Sequence, residues 1–212
     1  DEAESAYRNA IAKSPGFVDA LANLGALLQE RGAVAEAIGF LQQAIRKEPG
    51  HANAHMNLGH ALRKAGRVAE AEAAHRQAVA LAPLSEESHA NLATTLMDLD
   101  RLGEADLALK RALLLKPALA EAANSFGFLL FNQRHYIQSG TWFRRAILLA
   151  PGYAAPETGL AELAYFSCDL EQSLRHSENA LRLAPDEPQV HLRHAIRLLA
   201  AGRLEEGWQE RE

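Results

Sequence analysis

Apolar positions along the chain follow a helical spacing that recurs at a fixed interval. In the first such segment, Leu21, Leu24 and Leu28 stand three and four positions apart. This spacing places them on one face of an α-helix. A second stripe of small and apolar residues follows at Ala37, Leu41 and Ala44, and Gly32 separates the two segments. The pattern predicts two amphipathic helices joined by a tight turn.

The same helix pair recurs every 34 residues without an insertion or deletion, and each pair is closed by a proline: Pro15, Pro49, Pro83, Pro117, Pro151 and Pro185. A fixed period of this length is the signature of stacked repeats that pack on their neighbours. We therefore expect one array over residues 1–212. It comprises the second helix of a partial repeat (1–17), five full repeats (18–51, 52–85, 86–119, 120–153 and 154–187) and a truncated repeat (188–212).

Small residues mark the places where the two helices of a pair should approach closely. Gly25, Gly59 and Gly127 each follow the central apolar residue of a first helix. Glycine inside a helix costs about 1 kcal/mol relative to alanine, so its presence needs a structural reason. Close approach of the partner helix supplies that reason.

The turn between the helices carries glycine in only some repeats. Gly32 and Gly66 fit a left-handed residue that ends a helix. Arg134 and Cys168 stand at the same place in later repeats, and their side chains adopt this conformation less readily. We therefore expect a different turn geometry at Arg134 and Cys168.

These offsets together resemble those of the tetratricopeptide repeat (TPR). The shared features are Leu or Phe followed by Gly or Ala in the first helix, small residues in the second, and a closing proline at an interval of 34 residues. The resemblance covers nearly the whole chain and implies an all-α, right-handed superhelical solenoid of helix–turn–helix repeats. It also implies a protein–protein interaction scaffold whose first helices line a concave groove that holds peptide segments.

A row of asparagines supplies the first candidate binding residues. Asn23, Asn57 and Asn91 each precede the central leucine of a first helix. An amide offers donors and an acceptor, so the row can hydrogen-bond the backbone of an extended peptide of any sequence. The alternative is that these asparagines only cap or solvate the groove.

The row also resembles the TPR region of O-linked N-acetylglucosamine transferases, in which asparagines hold the substrate protein. Residues 202–212 resemble the segment that follows the repeats in bacterial proteins with a C-terminal glycosyltransferase domain. The resemblance implies a bacterial protein in which this chain is the substrate-docking region of a larger glycosyltransferase.

Further along the chain other side chains take the place of the row. Asn124 lies one position away from the expected place, and Phe128 and Tyr165 are candidates to anchor an apolar side chain of the peptide. Packing between repeats is the simpler interpretation of these aromatic residues. His60 stands one turn before Arg63 in a small basic cluster, which is a candidate contact or a solvated face.

Composition excludes several kinds of partner. The net charge of −5 and the pI of about 6.0 give no basic surface for nucleic acid. No apolar run approaches the length of a membrane span. Cys168 is the single cysteine, which excludes an internal disulfide and favours a cytoplasmic location. A protein or peptide partner is therefore expected, without nucleic acid or membrane.

Catalytic patterns are missing from the sequence. The nine histidines have no neighbouring cysteine pair or acidic ligand set of the kind that zinc requires. No glycine-rich phosphate loop or nucleophile elbow is present. We predict no cofactor, no metal and no enzymatic activity for this segment, although the full-length protein can carry a catalytic domain.

A second function remains open at this point. Repeat arrays expose apolar faces at their ends unless polar residues cover them, and Tyr7 and Trp208 stand near the two ends of this sequence. The alternative prediction is a structural self-assembly module that forms homo-oligomers through these ends and binds no peptide.

Overall fold

A computed structural model describes residues 2–210. Within this range the chain forms thirteen α-helices and no β-strand, as the all-α prediction requires. The helices are α1 (Glu2–Lys13), α2 (Val18–Glu30), α3 (Val34–Lys47), α4 (Ala52–Lys64), α5 (Val68–Leu81), α6 (Glu86–Asp98), α7 (Leu102–Leu115), α8 (Ala120–Asn132), α9 (Tyr136–Leu149), α10 (Ala155–Phe166), α11 (Leu170–Leu183), α12 (Pro188–Ala200) and α13 (Leu204–Gln209).

The helices form two compact units, of which the first ends at Leu115 and the second begins at Lys116. In the first unit α2, α4 and α6 are first helices and α3, α5 and α7 are their partners. Each of α3 and α5 also packs on the first helix that follows, while α4 contacts both α2 and α6. The second unit repeats this scheme, with α10 in contact with α8 and α12. Each unit therefore has a layer of first helices. The continuity of one array through both units stays a prediction.

Close packing around the helical glycines confirms the reason inferred for them. A Cβ atom built on Gly25 would lie 2.5 Å from Cγ of Leu41, a side chain that is itself fully buried. At Gly127 the same atom would lie 2.6 Å from the ring of Phe143. A side chain from the second helix thus fills the space above each glycine. This contact allows the two helices of a pair to pack closely.

The turns at Arg134 and Cys168 keep the left-handed conformation, so the expectation of a different geometry was wrong. Their φ angles are 63° and 57°, compared with 80° at Gly32. The physical reason is the hydrogen bond that closes the helix. The N–H of His135 donates to the carbonyl of Leu130 at 2.8 Å, as that of Ala33 donates to Leu28. Keeping this bond fixes the turn conformation whatever side chain the residue carries.

Histidines at the fourth position of three repeats tie the first helix to the loop before it. His55 Nε2 donates to the carbonyl oxygen of Pro49 at 2.9 Å, and His89 makes the same bond to Pro83 at 3.0 Å. His191 bonds Pro185 in the same way. These histidines join consecutive repeats by satisfying a carbonyl beyond the preceding helix.

Candidate peptide-binding surface

The asparagine row lies on neighbouring first helices of the first unit. Asn23 is on α2, Asn57 on α4 and Asn91 on α6. Asn23 is exposed, whereas Asn57 and Asn91 are half-buried. Within residues 2–210 the side-chain amides of these three residues make no hydrogen bond. Their donors and acceptors are therefore available to a ligand.

Asn124 differs from the row because it is buried. Only 6% of the residue is exposed, and its Nδ2 donates to the hydroxyl of Tyr153 at 3.4 Å. Burial raises the pKa of Tyr153, an effect increased by the nearby Glu121 carboxylate and reduced by this hydrogen bond. Asn124 thus joins the loop after α9 to α8 and does not present its amide at the surface.

His60 is half-buried and packs against another histidine. Its ring stands edge-on to His75, with 5.3 Å between the ring centroids. Burial lowers the pKa of His60 to about 4, with smaller contributions from the charges of Arg63 and Lys64. The ring is therefore neutral near pH 7, and it offers a peptide a hydrogen-bonding group without a charge.

Phe128 lines a cavity on the first-helix side of the second unit. The cavity has a volume of about 460 Å³ and lies among α8, α10, α12 and the loops before the last two. Phe128, Tyr153, Leu183 and Val190 give it an apolar lining, and Arg193 stands at its rim. Phe128 also packs edge-on against Phe143, with 4.8 Å between the centroids. This cavity suits an apolar side chain of a ligand.

Tyr165 lies beside a charged cluster in the same unit. The guanidinium of Arg197 stacks over its ring at 4.4 Å from the centroid. Arg197 also bonds Glu162 at 2.6 Å, and Arg193 bonds the other carboxylate oxygen of Glu162 at 2.7 Å. Tyr165 is 38% exposed, so one part of its ring is open to solvent while the other holds an arginine in place.

The predicted residues thus fall into separate settings. The structure brings Asn23, Asn57 and Asn91 onto adjacent helices, but it places Phe128 in a cavity that they do not line. Sequence reasoning missed Tyr153, because its position in a loop after α9 carries no helical periodicity. The only available signal was a large aromatic residue that directly precedes a first helix.

Two family models, both described as Tetratricopeptide repeat, match the sequence. One matches residues 1–61 and 28–74, and the other matches residues 86–119. Together they cover about half of the chain. The chain belongs to the TPR family.

Solved structures show the same fold. Cut9-Hcn1, described as an APC/C hetero-tetramer, aligns with a TM-score of 0.83 at 16% identity, over 99% of this chain and 42% of that one. TTC0263, a thermophilic TPR protein of Thermus thermophilus, aligns with a TM-score of 0.79 at 22% identity, over 86% of this chain and 99% of that one. YrrB aligns with a TM-score of 0.58 at 21% identity, over 94% and 98%. The predicted TPR solenoid class is confirmed.

The TPR chain spans less than half of the Cut9-Hcn1 chain that it matches. A comparison with curated proteins found no match.

No helix within residues 2–210 is both long enough and apolar enough to cross a membrane. TPR arrays characteristically act as protein-interaction scaffolds without catalysis, and a scaffold is the function class that these findings support.

Proposed function

We propose that this chain is a protein-interaction scaffold that holds an extended segment of a partner protein against the first helices α2, α4 and α6. The observation that carries the proposal is the row of Asn23, Asn57 and Asn91, whose amides are accessible and form no hydrogen bond within residues 2–210. Asparagine is a poor helix former. A ligand hydrogen bond accounts for its use at one place in three successive first helices.

Geometry sets the length of segment that the row can hold. Packed helices lie about 8–10 Å apart, and an extended chain advances about 3.3 Å per residue. One amide therefore meets the peptide backbone at about every third residue. The three amides together therefore span roughly six to seven residues of the bound peptide. Because the contacts are to the backbone, the row tolerates many sequences.

Two further observations support peptide binding. The cavity beside Phe128 offers an apolar pocket on the first-helix side of the second unit. YrrB, one of the TPR proteins that share this fold, is described as having an unusual peptide-binding site. A role as the substrate-docking region of a glycosyltransferase stays a finer prediction that rests on the asparagine row and on the resemblance of residues 202–212.

The test begins with a displayed library of twelve-residue peptides selected on the wild-type protein. The affinities of the selected peptides are then measured by fluorescence anisotropy for the wild type and for a variant with Asn23→Ala, Asn57→Ala and Asn91→Ala. Each hydrogen bond contributes about 1 kcal/mol, so the triple variant should bind about 100-fold more weakly.

The matched control is the double variant Gln43→Ala and Gln77→Ala. These residues carry exposed amides at equivalent places on the second helices α3 and α5. The control should bind as the wild type does, and circular dichroism should show equal helix content in all three proteins. Equal affinities of the triple variant and the wild type would refute the proposal.

Self-assembly remains the alternative function. Trp208 on α13 is 56% exposed, which is the observation that favours it. Analytical ultracentrifugation over a wide concentration range distinguishes the two functions. Association that is abolished by Trp208→Ser, together with the absence of peptide selection, would support the alternative.

A further inference from the structure

A groove between second helices of the second unit differs from two corresponding grooves of the first unit. It runs between α9 and α11, with α10 as its floor, and has a volume of about 340 Å³. Leu160 and Leu163 form part of the floor, and Arg144 and Gly140 line one wall. None of the asparagines of the proposed peptide-binding row lines it.

The corresponding place between α5 and α7 is filled by an ion-pair network. The Glu72 carboxylate accepts a hydrogen bond from Arg76 Nε at 2.8 Å, and Arg76 Nη2 also bonds Glu104 at 2.9 Å. Arg101 pairs with both glutamates. The side chains of the network therefore neutralise one another across the groove.

The same arrangement is found two repeats earlier, between α1 and α3. Arg8 bonds Glu4 and Glu36, each at 2.8 Å. Arg31 pairs with Glu4 at 2.6 Å. In these two grooves of the first unit, an arginine of one second helix thus bonds a glutamate on its own helix and another on the next second helix.

The groove between α9 and α11 keeps the arginine but lacks both glutamates. Arg144 stands two repeats after Arg76, at the same position. Gly140 replaces the first glutamate and Gln172 replaces the second. Within residues 2–210 Arg144 forms no hydrogen bond or ion pair. The groove is therefore open where the first unit places the Glu72 side chain.

The carboxylates near Arg144 have other partners. Asp169 lines the groove, but its two oxygens accept hydrogen bonds from the backbone N–H and the side-chain amide of Gln172, at 2.9 and 2.7 Å. Glu157 bonds His176 Nδ1 at 2.6 Å. The guanidinium N–H groups of Arg144 therefore remain available to a ligand.

Apolar side chains extend the surface beyond the groove. Ile137 is 89% exposed at its rim, where the first unit has small residues such as Ala69. Next to it, Tyr136 and Phe166 are 39% and 59% exposed and form an aromatic cluster with Phe131. Contiguous exposed apolar surface of this kind marks protein contacts, because its burial releases water.

We infer that this groove docks a segment of a partner protein that carries a carboxylate side chain close to an aliphatic or aromatic one. The carboxylate takes the place of the missing glutamate and pairs with Arg144, which has five N–H donors for a bidentate contact. The apolar side chain packs against Ile137 and the aromatic cluster. Charge complementarity and the extended apolar rim together favour a protein segment over a small anion.

Gly140→Glu provides a sharp test because it restores the internal partner. A Cβ atom at this site would lie 3.4 Å from Arg144 Nη1 and 3.5 Å from Leu163 Cδ1, so the side chain fits. The new glutamate stands four residues before Arg144, the favourable order for a helical ion pair. The variant should fold at least as well as the wild type while it occupies its own groove.

The experiment selects displayed twelve-residue peptides on the wild-type protein and removes those that also bind Gly140→Glu. The remaining peptides should carry Glu or Asp within four positions of an apolar residue. Their affinity should fall at least about tenfold for Arg144→Gln and for Gly140→Glu. It should fall by a similar factor when the acidic residue of the peptide is changed to Gln.

Two control variants test the specificity of the effect. Gly140→Ala adds a methyl group without a charge, and Arg175→Gln removes an exposed arginine of α11 that does not line the groove. Both should bind the peptides within about twofold of the wild type. Because the groove is separate from the asparagine row, the variant lacking Asn23, Asn57 and Asn91 should also bind normally, so failure of one proposal does not affect the other.

Three results would overturn the inference. The first is a selection from which Gly140→Glu removes no peptide. The second is an affinity that is unchanged by Arg144→Gln. The third is concentration-dependent association of the wild-type protein that Gly140→Glu abolishes, because the occupant would then be a second copy of this chain.

Discussion

Replacing His75 with leucine should make the protein less sensitive to acid. His75 is 1% exposed and lies over Gly59, at the second-helix position that Leu41 and Leu109 occupy in neighbouring repeats. Its Nδ1 lies 2.8 Å from the hydroxyl of Thr95. An imidazole in this setting cannot gain a proton without placing a charge in the interior.

The size of the effect follows from the pKa of His75. Burial lowers this pKa to about 4, with a smaller contribution from repulsion by His60. An unfolded histidine has a pKa of about 6.5. Because the folded value is the lower one, the stability contributed by the neutral ring is complete above pH 6.5, roughly, and is lost as the pH falls toward 4. The loss from this one residue amounts to roughly 3 kcal/mol.

Leucine should be accepted at this position without a large cost. The hydroxyl of Thr95 donates to the carbonyl of Asn91 at 3.1 Å, so it keeps a partner when His75 is removed. Leu41 already packs over Gly25 in the same way. We therefore expect the His75→Leu protein to match or exceed the wild type in unfolding free energy at pH 7.

Urea denaturation followed by circular dichroism at pH 7 and pH 4.5 measures the difference. The wild type should lose about 2.5 kcal/mol more than His75→Leu between the two pH values. Substitution of the exposed His135 controls for the loss of one histidine. Equal losses in wild type and variant, or a His75 ring resonance that titrates near pH 6.5, would refute the reasoning.

Two further predictions concern packing and turns. Leu109→Ala should lower the unfolding free energy by about 2–5 kcal/mol because Leu109 is fully buried. Leu107→Ala, at a site 68% exposed, should change it by less than about 0.5 kcal/mol, and similar denaturation midpoints for the two variants would contradict the assigned helix faces. Arg134→Gly should raise the unfolding free energy by up to about 1 kcal/mol because glycine relieves the strain of a positive φ. Asp100→Gly should raise it less because aspartate tolerates this conformation; thermal denaturation compares the two variants, and a larger gain for Asp100→Gly would contradict this explanation.

The helix pairs were predictable from the repeat period and from the residues that recur with it. Each closing proline and each small helical residue returned at the same offset, so several independent signals agreed on one helix pair. Gly25 is an example: a glycine inside a helix predicts the close approach of a side chain from the partner helix, and in the structure Leu41 makes that contact. Local sequence determines such features because both partners belong to one helix pair.

The candidate binding residues were predictable only in part. The positions of Asn23, Asn57 and Asn91 follow from the period, since residues at one offset share one face of successive helices. Burial of Asn124 does not follow from it, because Tyr153 covers this residue from a loop 29 positions later in the chain. No pattern within a single helix reveals such a contact.

The sequence by itself determined the helix pairs and the row of amides, because these depend on periodicity and on residues close in the chain. The conformation at Arg134 is also set locally, by a helix-closing hydrogen bond that overrides the side-chain preference. Tertiary structure decided the burial of Asn124 against Tyr153. It also decided that Arg144 stands without a carboxylate partner in the described residues. Charge balance in a groove depends on side chains from three helices, and only their packing brings those side chains together.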